Sequence, residues 1–560
     1  MKTAHRLRLA IIAAVTALTG AMSVSADELP VLHADGPALR TMLDGKPGHP
    51  WFISPGMKPF DCLNTSAAVV KFACDRDSLT FTLMPWENRD FVIITTEGDS
   101  AFTRVTRTPL DPYLTPAPRY LNHRKGDLLS NDEASFDLFA LQHAITEIHP
   151  DPFTVTSSTD LAQSFMRVLE SLPDSISVVD LYSRLAPLVT SIGDGHTMLR
   201  FPYNDMFTAD LKRLPLFVNI STDGVITAYA SLDGAIAPGS KIISINGHTA
   251  DEMIEAMMPY ASGELRHFKL QRINSDFTAW FEMLYPADSY EIVYMPENEN
   301  VKHSITFPAI TWETISQRVK KGDSSQQAAQ KSSYSFEIDS INRVAVMDFR
   351  SFDNPAKMKI FADSMFRTLR NAGIDRLVID VSENGGGNSG VGDELLKYIS
   401  PVPFTQMEKV YMRRSPFTVG LIEAQKGIST NPISLINEVN NFIEPLTAEQ
   451  GHFDGKVWLV TSNYTFSSAD SFSNAFKHFG MGTVVGEETG GVNVAFGDLI
   501  FYQLPVSGIP VTISYKRFWL AGSDEKDIHP VIPDVKVPRS EALETAIRLA
   551  SKADRGKRIK

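Results

Sequence analysis

Three short stretches of the 560-residue chain carry side chains that could do chemistry together. In "NYTFSSADSFSNAFKHFG" (463–480), Ser467 and Ser468 stand where a strand-like run meets a helix-like run. Serine is a favoured helix N-cap. It is also well placed as a nucleophile, because unbonded N–H groups and the positive end of the helix macrodipole stabilise an oxyanion. In "ENGGGNSG" (383–390), three consecutive glycines follow Asn384. Such a loop lets backbone approach a substrate and aim N–H groups at it, which suits an oxyanion hole as well as a plain turn. In "GDGHT" (193–197), His196 sits in a tight glycine turn beside Asp194. A neutral imidazole placed in this way can take the proton of a hydroxyl near neutral pH, or can be a loop histidine with one hydrogen bond.

Two of these stretches lie at strand ends of an α/β region. From Asn342, "RVAVMDFRSF", "RLVIDVS", "KVWLVTSNY" and "GTVVGEETGG" read as strands. "AKMKIFADSMFRTLRNAG", closed by Gly373, "GDELLKYI" and "SSADSFSNAFKHFG" read as the helices between them. Strands alternating with helices predict a largely parallel, covered sheet. Ligands favour the carboxyl ends of such strands, where the glycine loop and the serine pair fall. "IFYQLPVSGIPVTISYKRF" adds a hairpin and "EALETAIRLASK" a closing helix.

Upstream, the pattern changes twice. Residues 126–205 read as a three-helix unit ending in "GDGHT". Phe136, Phe139, Leu141 and Ile145 are at near-helical spacing, and His149-Pro150 ends the first helix. Residues 206–310 read as a β-rich module in which "GSKIISINGHTADEMIEAMM" is a strand, an Asn-Gly turn and a capped helix. It resembles the second half of a PDZ-type domain, although "LPLFVNI" stands where a glycine-bearing carboxylate loop is expected. Residues 27–125 mix turn residues with short strands such as "SLTFTLMP" and "DFVIITTEG", then the proline-rich "TPLDPYLTPAPRY" reads as a linker. The α/β region spans about 335–555.

Residues 1–26 form a secretory signal. Lys2, Arg6 and Arg8 precede an apolar stretch, and Val24 and Ala26 occupy the small-residue positions before a cut after Ala26. The chain is expected to be exported, to the periplasm or the medium, with no membrane span after cleavage. An oxidising space allows a disulfide between Cys62 and Cys74, the only cysteines, or two separate thiols. Two cysteines cannot build a cysteine-rich zinc site and no H-E-x-x-H occurs, so no metal or other cofactor is expected. The net charge is −13, and about −16 once the three basic residues of the signal are removed. An acidic chain without a basic stripe argues against a nucleic-acid partner.

"GDGHT", "LVIDVSENGGG", "VTSNYTFSSADSFSNAF" with "VVGEETGG", and "IHPVIPDVKV" occur in that order over about 130–540. Together they resemble the C-terminal processing (tail-specific) peptidases and the tricorn core protease. The resemblance implies a ClpP/crotonase-like αβ catalytic core, serine peptidase chemistry and a polypeptide substrate. In the family's Thr-x-Ser-[Ala/Ser]-[Ala/Ser]-[Glu/Asp] run, Ser467 takes the nucleophile's place. The N–H of Ser468 and a glycine of the triple, Gly386, would form the oxyanion hole. One subgroup uses a lysine base after the Gly-Glu-x-Thr turn, where this chain has Val492. The histidine-using, tricorn-like branch would draw its base from His196. Its orienting carboxylate precedes the "PD" strand and falls on Asp527, with Asp524 and Glu525 close enough for the register to slip. The serine that the tricorn-like site carries before its histidine is Gly195 here.

His529 is the runner-up histidine. His478 lies eleven residues after Ser467, about three helical turns away. Two other functions remain to be weighed. A non-catalytic peptide- or hydrophobic-ligand binder could share this fold. An α/β-hydrolase esterase would need G-x-S-x-G, and Ser389 has Gly387 before it but Val391 after.

Overall fold

The structure is a computed structural model. It describes residues 126–208, 210–319, 332–412, 442–504 and 506–553. Short strands between 32 and 104, and one at 436–438, are described in backbone only. The signal segment, the cysteine side chains and the proline-rich linker lie outside the described residues. The chain forms two compact units, each discontinuous in sequence. One comprises Met1–Thr208, Met412–Leu435 and Asp498–Lys516; the other Ala209–Tyr411, Ile436–Gly497 and Arg517–Lys560.

In the first unit, the strands expected within "SLTFTLMP" and "DFVIITTEG" form at Leu79–Pro85 and Phe91–Glu97, inside a five-stranded sheet. Three helices follow: α1 (Asn131–Ile148), α2 (Ser158–Ser171) and α3 (Val178–Thr190). Each starts on a serine, Ser130, Ser157 or Ser177, whose hydroxyl accepts the N–H of the third residue on. That satisfies a donor the helix cannot use internally. The buried stripe of α1 is Ala134, Leu138, Leu141, Ile145 and Ile148. Phe136 and Phe139, expected in that stripe, flank it half-buried, because the 3.6-residue period admits one face only. Asp137 is wholly buried, and its carboxylate accepts the N–H groups of Val506 and Ser507, both at 2.7 Å.

The second unit holds the β-rich module and the α/β core. The module is an antiparallel sheet in the order Leu216–Ile220, Ile226–Ser231, Lys241–Ile245, Ser289–Met295 and His303–Pro308. Asn246 and Gly247 turn at φ 48° and 81°, the left-handed pair that an Asn-Gly hairpin requires. Thr249 and Glu252 then cap α4 (Ala250–Met257) reciprocally, and α5 (Arg266–Leu284) follows.

The core sheet has six strands in sequential order: β1 (Tyr334–Asp339), β2 (Val344–Phe349), β3 (Arg376–Asp380), β4 (Lys456–Thr461), β5 (Thr483–Gly486) and β6 (Val535–Lys536). The first pair is antiparallel and the rest parallel. Helices α6 (Pro355–Ala372), α7 (Gly390–Ile399) and α8 (Ser468–His478) cover one face, and α9 (Arg539–Lys552) the other. Strand alternation assigns the faces. In β2, Ala345, Met347 and Phe349 face the three helices, while Val344 and Val346 face Ala542, Ala546 and Ala550 of α9. Gly373 ends α6 in the left-handed conformation expected of it, at φ 63°.

Phe472, in α8, is fully buried against Phe349 and Phe352, both with edge-on ring geometry and centroids 5.9 Å away. Its face holds the helix that begins at the serine pair. Phe472→Ala is expected to destabilise the protein by about 3–5 kcal/mol, read as a lower urea midpoint with an unchanged slope. A loss below about 1 kcal/mol would contradict this packing.

Candidate active site

The second unit brings the glycine loop and the serine turn together at the carboxyl ends of adjacent parallel strands, β3 and β4. Hydrogen bonds stitch them. Thr465 Oγ1 donates to the Val381 carbonyl at 2.9 Å, and Phe466 N to that of Asn384 at 3.1 Å. Ser468 Oγ donates to the Gly387 carbonyl at 2.7 Å. Asn384, buried, anchors the loop from below through its amide to the Phe349 carbonyl at 2.8 Å.

Ser467 precedes α8 with φ 57° and ψ −126° and makes no side-chain capping bond. A capping serine sits in the extended region, as Ser130, Ser157 and Ser177 do. The backbone of Ser467 is strained instead, at a cost of about 1–3 kcal/mol. The turn therefore holds its hydroxyl out of the cap position. Ser467 contributes its carbonyl to the helix, accepting from Asp470 N at 2.9 Å and Ser471 N at 3.0 Å.

Gly386 meets this turn at φ 97°. A Cβ there would lie 2.7 Å from Ser468 N and 2.8 Å from both the Phe466 oxygen and Ser467 Cβ. Only glycine leaves space in front of the Ser468 N–H, which opens the helix and has no carbonyl a turn earlier to bond. The Gly386 N–H, expected to point at a substrate oxygen, donates to Asn384 Oδ1 at 2.9 Å. As the loop stands, the Gly386 N–H is taken up within the loop, and Gly386 provides clearance in front of the Ser468 N–H.

The turn is packed from two sides. Phe268 of α5 stacks on Phe466, with centroids 4.1 Å apart. His267 Nε2 lies 2.8 Å from the Thr489 carbonyl, and Asn274 donates to Tyr464 Oη at 3.2 Å. The position expected to exclude a lysine base holds Val492, which is buried. Gly491 packs against Asp470, where a Cβ would come within 2.6 Å of Oδ2.

Asp470, in the first turn of α8, is buried, and its Oδ1 has no hydrogen-bond partner among the described residues. Burial pushes its carboxyl up to about 7, against the lowering effect of the Thr489 hydrogen bond and the His529 charge. A raised carboxyl stabilises the fold fully below its unfolded pKa, and that contribution is lost as pH rises through about 7. Asp470→Asn removes this dependence. From pH 5 to 8.5 the variant should gain about 2–4 kcal/mol relative to the parent, seen as diverging urea midpoints. Parallel midpoints across that range would contradict it.

The carboxylates expected near "IHPVIPD" are on the same unit. Asp527 is exposed; its carbonyl accepts the Asn493 amide at 3.0 Å and its N–H donates to the Asp524 carbonyl at 3.1 Å. Glu525 is taken up by Trp519 Nε1 at 2.9 Å. His529 Nδ1 lies 2.8 Å from the Pro530 carbonyl. Glu487 accepts Arg539 N at 3.1 Å and Glu488 pairs with Lys536 at 2.9 Å, as sheet-end carboxylates. His478 sits at the far end of α8, edge-on to Phe479.

His196 belongs to the first unit. Its side chain is 12% exposed, and its carbonyl accepts Thr512 Oγ1 at 2.8 Å. The next residues, Met198–Leu199, pair antiparallel with Thr512 and Val511. Asp194 Oδ1 accepts the His196 N–H at 2.8 Å and lies 3.8 Å from Nδ1. Beneath it, Asp194 Oδ2 receives Ser514 Oγ at 2.6 Å, the Thr197 hydroxyl, and His149 Nε2 at 3.2 Å. The sequence presented Asp194 as part of a glycine turn and His149 as a helix end; their pairing shows only in three dimensions.

Among the described residues no helix is long and apolar enough to cross a membrane, and no group of three or more His, Cys, Asp or Glu could hold a metal ion. The structure is similar to that of mature CPAF, at 14% identity and a TM-score of 0.54, covering 75% of this chain and 97% of that one. It is also similar to the photosystem II D1 C-terminal processing protease (13% identity, TM-score 0.38, 75% and 97% covered) and to the tricorn protease (13%, 0.31, 84% and 40%). At 14% identity the similarity to CPAF speaks for the fold alone. No curated protein sequence matches the chain. Residues 343–537, which hold both the glycine loop and the serine turn, match Peptidase family S41. That segment, about a third of the chain, is the part similar to the family, and most of it lies in the mixed α/β core of the second unit.

Proposed function

We propose that the chain is an exported serine endopeptidase of the histidine-using, tricorn-like branch. The observation that carries this reading is the conformation of Ser467, strained and uncapped at a helix start, with Gly386 keeping the adjacent N–H clear. Ser467 Oγ attacks the peptide carbonyl while His196 Nε2 takes its proton. The oxyanion gathers at the Ser468 N–H, aided by the positive end of α8. His196 then protonates the leaving amine. Water, deprotonated by the same imidazole, releases the acyl group and restores the serine. Val492 in place of a lysine supports the histidine branch. In that branch's pattern the orienting carboxylate is Asp527. The module at 206–310 is read as PDZ-like, and the first 26 residues as a signal removed on export.

A fluorophosphonate probe tests the reading directly. The full chain should gain one adduct, mapped by peptide mass to Ser467. An unlabelled Ser467, together with saturable binding of an unhydrolysed peptide, would replace the peptidase by a binding protein on the same fold.

A further inference from the structure

The geometry points to Asp194 as the positioning residue for His196: a buried carboxylate, locked by His149, Thr197 and Ser514, that holds the imidazole with its proton on Nδ1 and leaves Nε2 as the base. The inference rests on His196 being the base of the proposed peptidase.

Asp194 is fully buried, so its orientation is set by its partners. Oδ2 is saturated by three side-chain donors from three places in the chain: His149 just after α1, Thr197 in the turn and Ser514 in the hairpin. Oδ1 has one donor, the His196 backbone N–H at 2.8 Å. A carboxylate oxygen accepts two. His196 Nδ1 lies 3.8 Å from this oxygen. That is within ion-pair range and longer than a hydrogen bond, a gap of the kind that catalytic contacts close around substrate.

The second histidine explains how the carboxylate stays ionised in a buried place. The Asp151 N–H donates to His149 Nδ1 at 3.2 Å, so the His149 proton resides on Nε2 and points at Asp194. Burial alone would raise the Asp194 carboxyl. The His149 hydrogen bond, the charge that His149 and His196 can carry, and the Ser514 bond outweigh it and hold the group well below the usual carboxylate range. Among the described residues, the titratable groups facing Asp194 are His149 from the end of α1 and His196 from its own turn; Thr197 and Ser514 face it as neutral donors. With Gly195 before the histidine, no hydroxyl on that neighbour can relay an acid to the ring. Asp194 approaches the ring from two residues away, with no intervening side chain in the sequence.

The test compares the full chain with Asp194→Asn and Asp527→Asn. The readout is the second-order rate of Ser467 phosphonylation by a fluorophosphonate probe between pH 5 and 9, with thermal melts alongside. Asp194→Asn should slow labelling by at least about tenfold. It should also move the midpoint of the rate profile to lower pH, because an imidazolium loses its negative neighbour. A merely structural aspartate would lower the melting temperature and leave that midpoint in place, and this result would overturn the proposal. So would a midpoint displaced by Asp527→Asn and not by Asp194→Asn. Should Asp194→Asn fail to fold, imidazole ¹⁵N spectra of the unaltered chain decide, with the His196 signal assigned by its loss in His196→Gln. The proton should be on Nδ1, and a ring protonated on Nε2 alone would refute the inference. If Ser467 of the parent chain takes no label, the peptidase reading fails, and the spectra still report on Asp194.

Discussion

Ser467→Ala should lower kcat for peptide hydrolysis by about 10⁴–10⁶-fold while leaving KM within a few-fold of the parent. Removing the Oγ abolishes the acyl-enzyme route; what survives is substrate binding and the oxyanion site. A second substitution at the same position separates chemistry from strain. Ser467 holds φ 57° and ψ −126°, which alanine tolerates no better than serine, so Ser467→Ala should melt close to the parent. Ser467→Gly accepts that backbone without a Cβ penalty. It should be as inactive as Ser467→Ala and yet more stable by about 1 kcal/mol. Single-turnover assays and urea titrations of the three proteins check this. Equal hydrolysis by Ser467→Ala and parent would remove Ser467 from the chemistry. A glycine variant less stable than the alanine variant would show that the backbone is not strained.

Local signals carried the framework. Gly373, the Asn246-Gly247 turn and the Thr249/Glu252 box each act over a few residues, and each forms as its neighbours dictate. The alternation of apolar runs was enough to predict a largely parallel sheet and to set the glycine loop and the serine turn at strand ends. The choice between cap and nucleophile at Ser467 could not be made from residue type, because serine suits both. It rests on one backbone torsion and on three true caps for comparison. Asp194 illustrates a different obstacle. Its bond to Ser514 joins residues 320 apart and its bond to His149 residues 45 apart. Neither end has a periodicity or a motif spacing that announces the other. Phe268 stacking on Phe466 is of the same kind: both read locally as ordinary aromatic residues, and only packing brings the module's helix onto the serine turn. Where a strand end or cap fixes a residue, sequence suffices. Where a buried polar group needs partners, the tertiary fold chooses them.

Gly386→Ala should lower kcat by about 10²–10³-fold, a smaller loss than that of Ser467→Ala. The added methyl would stand 2.7 Å from Ser468 N and 2.8 Å from the Phe466 oxygen. Both are backbone atoms inside a turn fixed by Thr465, Asn384 and Ser468 hydrogen bonds, so neither can yield as a flexible side chain would. The methyl occupies the space an oxyanion would need in front of the Ser468 N–H, and φ 97° adds backbone strain. Gly385 provides the internal comparison. It is adjacent in the same loop, yet a Cβ there meets nothing within 4 Å, and its φ is not in the left-handed region. Gly385→Ala should therefore reduce kcat far less than Gly386→Ala. If the loop served only as a flexible turn, both substitutions would stiffen it alike and the two rates would fall together. A clearance role predicts that they separate, with the Gly386 variant still taking up peptide at near-parent KM because the lost interaction forms in the transition state and not in the ground state.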